Sequence, residues 1–181
     1  MSTIERVNFE FVSDMLSAQN KSLPVPAGLR EALLNPLSAI ALLDGEWVTR
    51  NAQGEFIRAT DITTSGAALE PAVDMYDLFP VLGQVGRTDR QSLGQVSVAY
   101  LGEWAGDTRI FDATAVVGAG AAITKVGQGL KVATITLGAG AAARKATGLV
   151  GHGGASDPAL VVAIVDRLPS ATVSRMRIRR R

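Results

Sequence analysis

Apolar and polar residues alternate along short stretches from Ala41 onward, and a period of two predicts strands. Residues 47–50 and 55–58 flank the turn-forming Asn51-Ala52-Gln53-Gly54, which is the pattern of a β-hairpin. Residues 78–82, 96–101, 109–117, 130–137, 161–168 and 172–179 are also short and rich in β-branched side chains. Most are bounded by Gly, Pro, Asn or Asp, and no long amphipathic helix separates them. The expected fold is mainly β, an antiparallel β-sandwich or barrel-like domain spanning residues 41–181.

Residues 1–40 have a different pattern. Ser2 and Glu5 have capping-box spacing, Val7, Phe9 and Phe11 alternate with Asn8 and Glu10, and Val12, Met15 and Leu16 recur at helical intervals. The stiff Leu23-Pro24-Val25-Pro26 follows, so this part reads as an N-terminal arm on a spacer. One short helix over 27–34 is expected to stop before Pro36.

Thr114 to Lys125 recurs about twenty residues later as Thr134 to Lys145. Each copy reads as a strand, a Gly-Ala-Gly corner and then a basic residue. Two copies are too few for a solenoid, so they predict two sheet corners where glycine permits positive φ or close backbone approach.

Composition narrows the chemistry. The 181 residues include no Cys and one His, which removes disulfide frameworks and thiolate metal sites. The hydrophobic share of 47% is mostly Ala and Val, with only five Phe, two Tyr and two Trp. The longest uncharged apolar runs are 12 residues, too short for a spanning helix, which needs about 20. With no basic start leading into an apolar core at the N-terminus, a soluble, unsecreted chain is expected.

The net charge of +1 hides an asymmetry: five of the 18 basic residues are Arg175, Arg177, Arg179, Arg180 and Arg181, leaving 13 against 17 acidic ones. Lys and Arg are not spread over a face with interleaved aromatics, so a nucleic-acid partner is not expected. In Arg175-Met176-Arg177-Ile178-Arg179 a strand would carry its arginines on one face. That reads either as a solvated edge strand or as a contact with an acidic neighbour.

Several motifs carry weaker chemistry. Gly138-Ala139-Gly140-Ala141-Ala142-Ala143 satisfies the loose dinucleotide pattern, but Gly148, Gly151, Gly153 and Gly154 would break the helix that chemistry requires. His152, within Gly151-His152-Gly153-Gly154, lacks an evident orienting partner and reads as part of a mobile surface loop. Asp44 with Glu46, or Glu103 with Asp107 and Asp112, could in principle act as acid and base; turn acids and solvated faces explain them equally. Trp47 and Trp104 both follow Gly-Glu; Trp47 is expected in the core and Trp104 is the better candidate for exposure. No catalytic residue, metal or cofactor is assigned.

Asp44-Gly45-Glu46-Trp47-Val48 leading into Gly54-Glu55-Phe56-Ile57-Arg58-Ala59, then Val126-Gly127-Gln128-Gly129-Leu130-Lys131-Val132, and the closing arginine-rich strand are phrases of a recognisable kind. With the N-terminal arm, they resemble the head decoration (cement) proteins of tailed double-stranded DNA bacteriophages. The resemblance implies a non-enzymatic virion protein, made in the bacterial host cytoplasm and bound to the capsid exterior. Its partners would be the major capsid protein and further copies of itself, as a homotrimer or other homo-oligomer. Phe9, Phe11, Met15, Leu16, Trp104, Arg175, Arg177 and Arg179 are the candidate contact residues. The alternatives are a head–tail or tail-tube component and a small β-barrel hydrolase working through its acidic loop.

Overall fold

A computed structural model describes residues 9–11, 19–26, 42–59, 78–82, 94–114, 120–140, 143–153 and 160–180. It is mainly β and antiparallel, and its larger sheet curls into a half-barrel. The strands are β1 (Phe9–Phe11), β2 (Gln19–Pro24), β3 (Trp47–Arg50), β4 (Phe56–Arg58), β5 (Phe79–Pro80) and β6 (Gln95–Leu101). They continue as β7 (Trp104–Thr108), β8 (Gly120–Ala121), β9 (Gly129–Leu137), β10 (Arg144–His152), β11 (Ala163–Arg167) and β12 (Met176–Arg180). The larger sheet has the order β1-β7-β12-β11-β9-β10-β8. The smaller layer consists of β4-β3-β5 and β2-β6, linked by the Val81–Val98 bridge and by Leu82 N–H donating to the Ser97 carbonyl at 2.8 Å.

The expected hairpin at residues 47–58 is present, with Thr49 opposite Ile57. Its turn is closed by Asn51, whose Oδ1 accepts from the backbone N–H of Gln53 at 3.0 Å and of Glu55 at 2.9 Å. Gly54 takes φ +78°, a conformation other residues rarely adopt. Asn51→Ala removes both acceptor bonds while leaving the backbone bonds, and is expected to cost about 1 kcal/mol in a thermal unfolding experiment.

Two strands fall where the sequence shows none. Trp104–Thr108, which reads as a turn beside Ala105-Gly106-Asp107, is β7, paired with β1 on one side and β12 on the other. The glycine-rich 144–152 stretch is β10, one of the two longest strands among the described residues. Glycine there serves packing: a Cβ on Gly148 would lie 2.9 Å from the Ile110 carbonyl oxygen, and one on Gly151 would overlap the Ala121 carbonyl oxygen. Conversely, of the strand expected over 109–117, the described residues 109–114 carry one parallel bridge, between Phe111 and Leu149. Asp112 then turns the chain by accepting from the Thr114 N–H at 2.9 Å. Residues 115–119 lie outside the described ones, as does the expected helix over 27–34.

Both faces of the β9–β10 pair are buried. Leu130, Val132 and Leu149 join Trp47, Trp104, Met176 and Ile178 in the central core, while Ala133, Ile135, Ala146 and Val150 pack with Ile110 on the opposite face. A third cluster, including Val25, Val48, Phe56 and Phe79, fills the smaller layer. These clusters explain the high Ala and Val content: small and β-branched side chains pack closely on pleated surfaces without voids.

The segment expected to stand apart as an arm contributes strands to both layers. β1 runs antiparallel to β7 and β2 antiparallel to β6, so residues 9–11 and 19–24 lie along the two strands that meet at the corner of Gly102 and Glu103.

Candidate interaction surface

The closing strand behaves as its alternation predicts on one face. Met176 and Ile178 are fully buried, and Arg177 and Arg179 lie on the opposite side. It is not an edge strand, because β12 lies between β7 and β11. The acidic neighbours its arginines require come from this same chain. Register places Arg177 opposite Asp107 of β7, and Arg177 donates from Nε to Asp107 Oδ1 at 3.0 Å and from Nη2 to Oδ2 at 3.2 Å. Arg167 at the end of β11 donates to both oxygens of the same carboxylate at 3.2 and 3.3 Å. Arg179 donates to Asp166 Oδ1 at 2.8 Å.

The result is a charged cluster across three strands in which Asp107 is shared by Arg167 and Arg177 and Asp166 holds Arg179, with one excess positive charge. Hydrogen bonding to Asp107 holds the Arg177 guanidinium above its ordinary value, partial burial acts against this, and the Asp107 and Asp166 charges add to it. Arg179 and Arg167 remain 45% and 41% exposed, so a partner can reach them, whereas Asp107 at 15% is mostly covered. Asp107→Asn weakens both arginine contacts and is expected to cost about 1 kcal/mol, because the network is half in water. The loss should shrink when melting curves are recorded in high salt.

Arg180 points the other way. It is 8% exposed, donates to the Leu78 carbonyl and sits 5.6 Å from the centre of the Phe79 ring, which pins β12 to the smaller layer. The second pin is Glu46, which sequence reasoning had placed in a turn or on a solvated face. It is fully buried; Oε1 accepts from the Thr147 N–H at 3.2 Å, and Oε2 accepts from the Leu43 N–H at 3.0 Å and from Arg58 Nη2 at 3.4 Å.

That position has a structural cause. Along the outer edge of β10 the Leu149 N–H donates to the Ile110 carbonyl and the Leu149 carbonyl accepts from Asp112. At Thr147 the edge N–H is taken by the Glu46 carboxylate instead. Burial pushes the Glu46 carboxyl above its ordinary value against the pull of Arg58, the two N–H groups and Arg144; burial also pulls Arg58 down against the attraction of Glu46.

Trp104 is a correction. It is 2% exposed and stacks at a tilt on Trp47, with ring centres 6.3 Å apart, so it belongs to the core and presents no anchor to a partner. Its Gly-Glu-Trp context mimics a turn, and the alternating burial of β7 becomes visible only once Thr108 pairs with Met176. Phe9 and Phe11 stand in register opposite Thr108 and Gly106, while Met15 and Leu16 lie outside the described residues. Arg175 precedes β12 and is half-buried.

The other chemical candidates are dispersed. His152 ends β10 in register with Gly120 and is half-buried, rather than in a loop. Gly138 and Gly140, with φ of +77° and +59°, turn the chain from β9 into β10, so a strand follows where a dinucleotide site needs a helix. Glu103 is exposed at the corner between β6 and β7, and Asp112 is turned onto Thr114. Among the described residues no group of three or more His, Asp or Glu side chains could hold a metal, and no helix is long and apolar enough to cross a membrane. Comparison with protein-family models, curated proteins and solved structures finds no match to this chain.

Proposed function

We propose that this protein is a capsid decoration protein, a non-enzymatic component that binds the outside of an assembled phage shell as a homo-oligomer and stabilises it. The observation that carries the reading is the cross-strand charged cluster from Arg167 to Arg179. It is a charged surface on a rigid sheet whose side chains are already held in place by Asp107 and Asp166. Groups ordered in advance lose little side-chain entropy on docking, and an excess positive charge steers a complementary acidic surface into register. The major capsid protein supplies that surface in this reading, with the protein located on the virion exterior.

The energetic logic is mass action. A ligand that binds only the assembled shell stabilises it by about 4 kcal/mol per site at a thousandfold excess over Kd, and a lattice multiplies the effect over many sites.

Co-sedimentation with purified shells tests the proposal. The wild-type protein should pellet with shells at a copy number matching the lattice, and Arg179→Ala should weaken binding while leaving the melting temperature nearly unchanged. A protein that ignores every shell overturns the reading. A copy number of a few per particle favours a head–tail or tail-tube component instead.

A further inference from the structure

β11 ends in an irregularity that shapes the surface around it. Val165 stands opposite Ile178 and Arg167 opposite Arg177, so Asp166 is an extra residue with no counterpart on β12. Val165 is buried in the central core, whereas Asp166 meets Arg179 and Arg167 meets Asp107 on the solvent side. In a regular strand Arg167 would follow Val165 into the core; the bulge turns two successive charged side chains outward instead.

Two turns flank this end of β11. The first, residues 124–128, leads into β9 and is tied to β11 by the Gly127 N–H donating to the Val165 carbonyl at 2.8 Å and the Val165 N–H donating to the Gln128 carbonyl at 2.9 Å. The Gln128 side chain braces it, with Oε1 accepting from the Thr124 N–H at 2.9 Å and Nε2 donating to the Ala122 carbonyl at 2.8 Å. The second, residues 170–173, lies between β11 and β12 and is closed by reciprocal backbone bonds between Ser170 and Val173 at 2.8 and 3.2 Å. Each turn carries an exposed valine: among the described residues Val126, 60% exposed, and Val173, 38% exposed, are the large apolar side chains left in solvent. A single exposed valine is ordinary. Two of them, on braced turns to either side of one charged bulge, make a preset contact, because neither turn has to be ordered on docking.

From these observations we infer that this end of β11 is where the protein docks, and that its partner is an acidic protein surface that seats Val126 and Val173 while Arg167 meets its carboxylates. Lys125, exposed beside Val126, adds to the excess positive charge of the arginine cluster, so the charge around the two valines calls for an acidic partner. The apolar component is small, and Asp166 stands in the middle of the surface. Both features suit a protein partner. A lipid surface is met by larger aromatic or leucine side chains and repels a carboxylate. The inference rests on the proposed assembly role, in which the shell supplies this partner, and deepens it by naming the face that docks and the apolar contacts that seat it.

Co-sedimentation of the full chain with purified shells tests this with Val126→Ser, Val173→Ser and the double variant. Each substitution removes most of one apolar side chain from the contact, so each should weaken shell binding about tenfold and the pair about a hundredfold. Melting temperatures should stay at the wild-type value, because both side chains are in solvent; if Val173→Ser melts early, Val126→Ser at the more exposed tip decides the outcome. Lys125→Glu should also weaken binding, most at low salt, and unchanged binding by this variant refutes the acidic partner. A wild type that pellets with shells while Val126→Ser pellets equally well overturns the inference and leaves the decoration reading standing. A wild type that pellets with no shell removes that reading and the inference with it. Pelleting with vesicles of equal parts phosphatidylserine and phosphatidylcholine, lost in the double variant, assigns the turns to a lipid surface and overturns the protein partner.

Discussion

Glu46→Ala is expected to lower the unfolding free energy by about 3–5 kcal/mol, the range seen when one member of a buried ion pair is removed. The substitution leaves Arg58 buried without its carboxylate and deprives the N–H groups of Thr147 and Leu43 of their acceptor. The ion pair itself is a net burden: burial shifts both partners toward their neutral forms more strongly than their mutual attraction shifts them back. Its role is to fix the smaller layer against the edge of β10. Adding Arg58→Met to Glu46→Met should therefore recover part of the loss relative to Glu46→Met alone, which a double-mutant cycle in denaturant would measure.

The pH dependence follows from the same shift. A carboxyl whose folded-state pKa is raised carries a penalty that is fully present above that pKa. The penalty is relieved as pH falls through the folded pKa toward the ordinary value of 4.5. The contribution of Glu46 to stability should thus grow on mild acidification. Glu46→Gln also destabilises, because its amide NH₂ must face one of the two N–H donors, but it removes this slope. The stability of the wild type minus that of Glu46→Gln, plotted against pH, should rise as pH drops.

Much of the architecture was legible: alternation reports a half-buried strand directly in Met176–Arg180, and apolar or β-branched side chains bounded by turn residues marked Trp47–Arg50 and Gln95–Leu101, which are buried on both faces at residues 47–49 and 96–99. What escaped did so for physical reasons. In β10 the glycines at 148 and 151 look like breaks, yet they occupy places where the Ile110 and Ala121 carbonyls approach too closely for any side chain. In β7 a run of Ala, Gly and Asp resembles a turn; it is a strand because β1 and β12 pair on both sides of it. The charged cluster was half legible. The requirement for an acidic surface opposite the arginines followed from the sequence, but Asp107 lies seventy positions away from Arg177 and no local pattern connects them. Glu46 is harder still, since the Thr147 N–H that draws it inward is 101 residues distant and nothing local distinguishes a buried carboxylate from a turn acid.

Trp104→Ala should be as damaging as the loss of Glu46, about 3–5 kcal/mol, because it empties a large site in the centre of the core. Trp104 lies where β7 leaves the corner, packed against Trp47 from the smaller layer. Residues from β9, β11 and β12 close the same cluster, so the neighbours belong to several strands and cannot collapse together into the space. Phe in its place retains most of the apolar area and should lose much less. The comparison separates two roles. A surface anchor for a partner would give normal unfolding curves and weak binding for both variants. A core residue predicts a large drop in stability for Trp104→Ala, a small one for Trp104→Phe, and shell binding by Trp104→Phe close to that of the wild type. Reduced binding by a stable Trp104→Phe would return this side chain to the contact surface and contradict its burial.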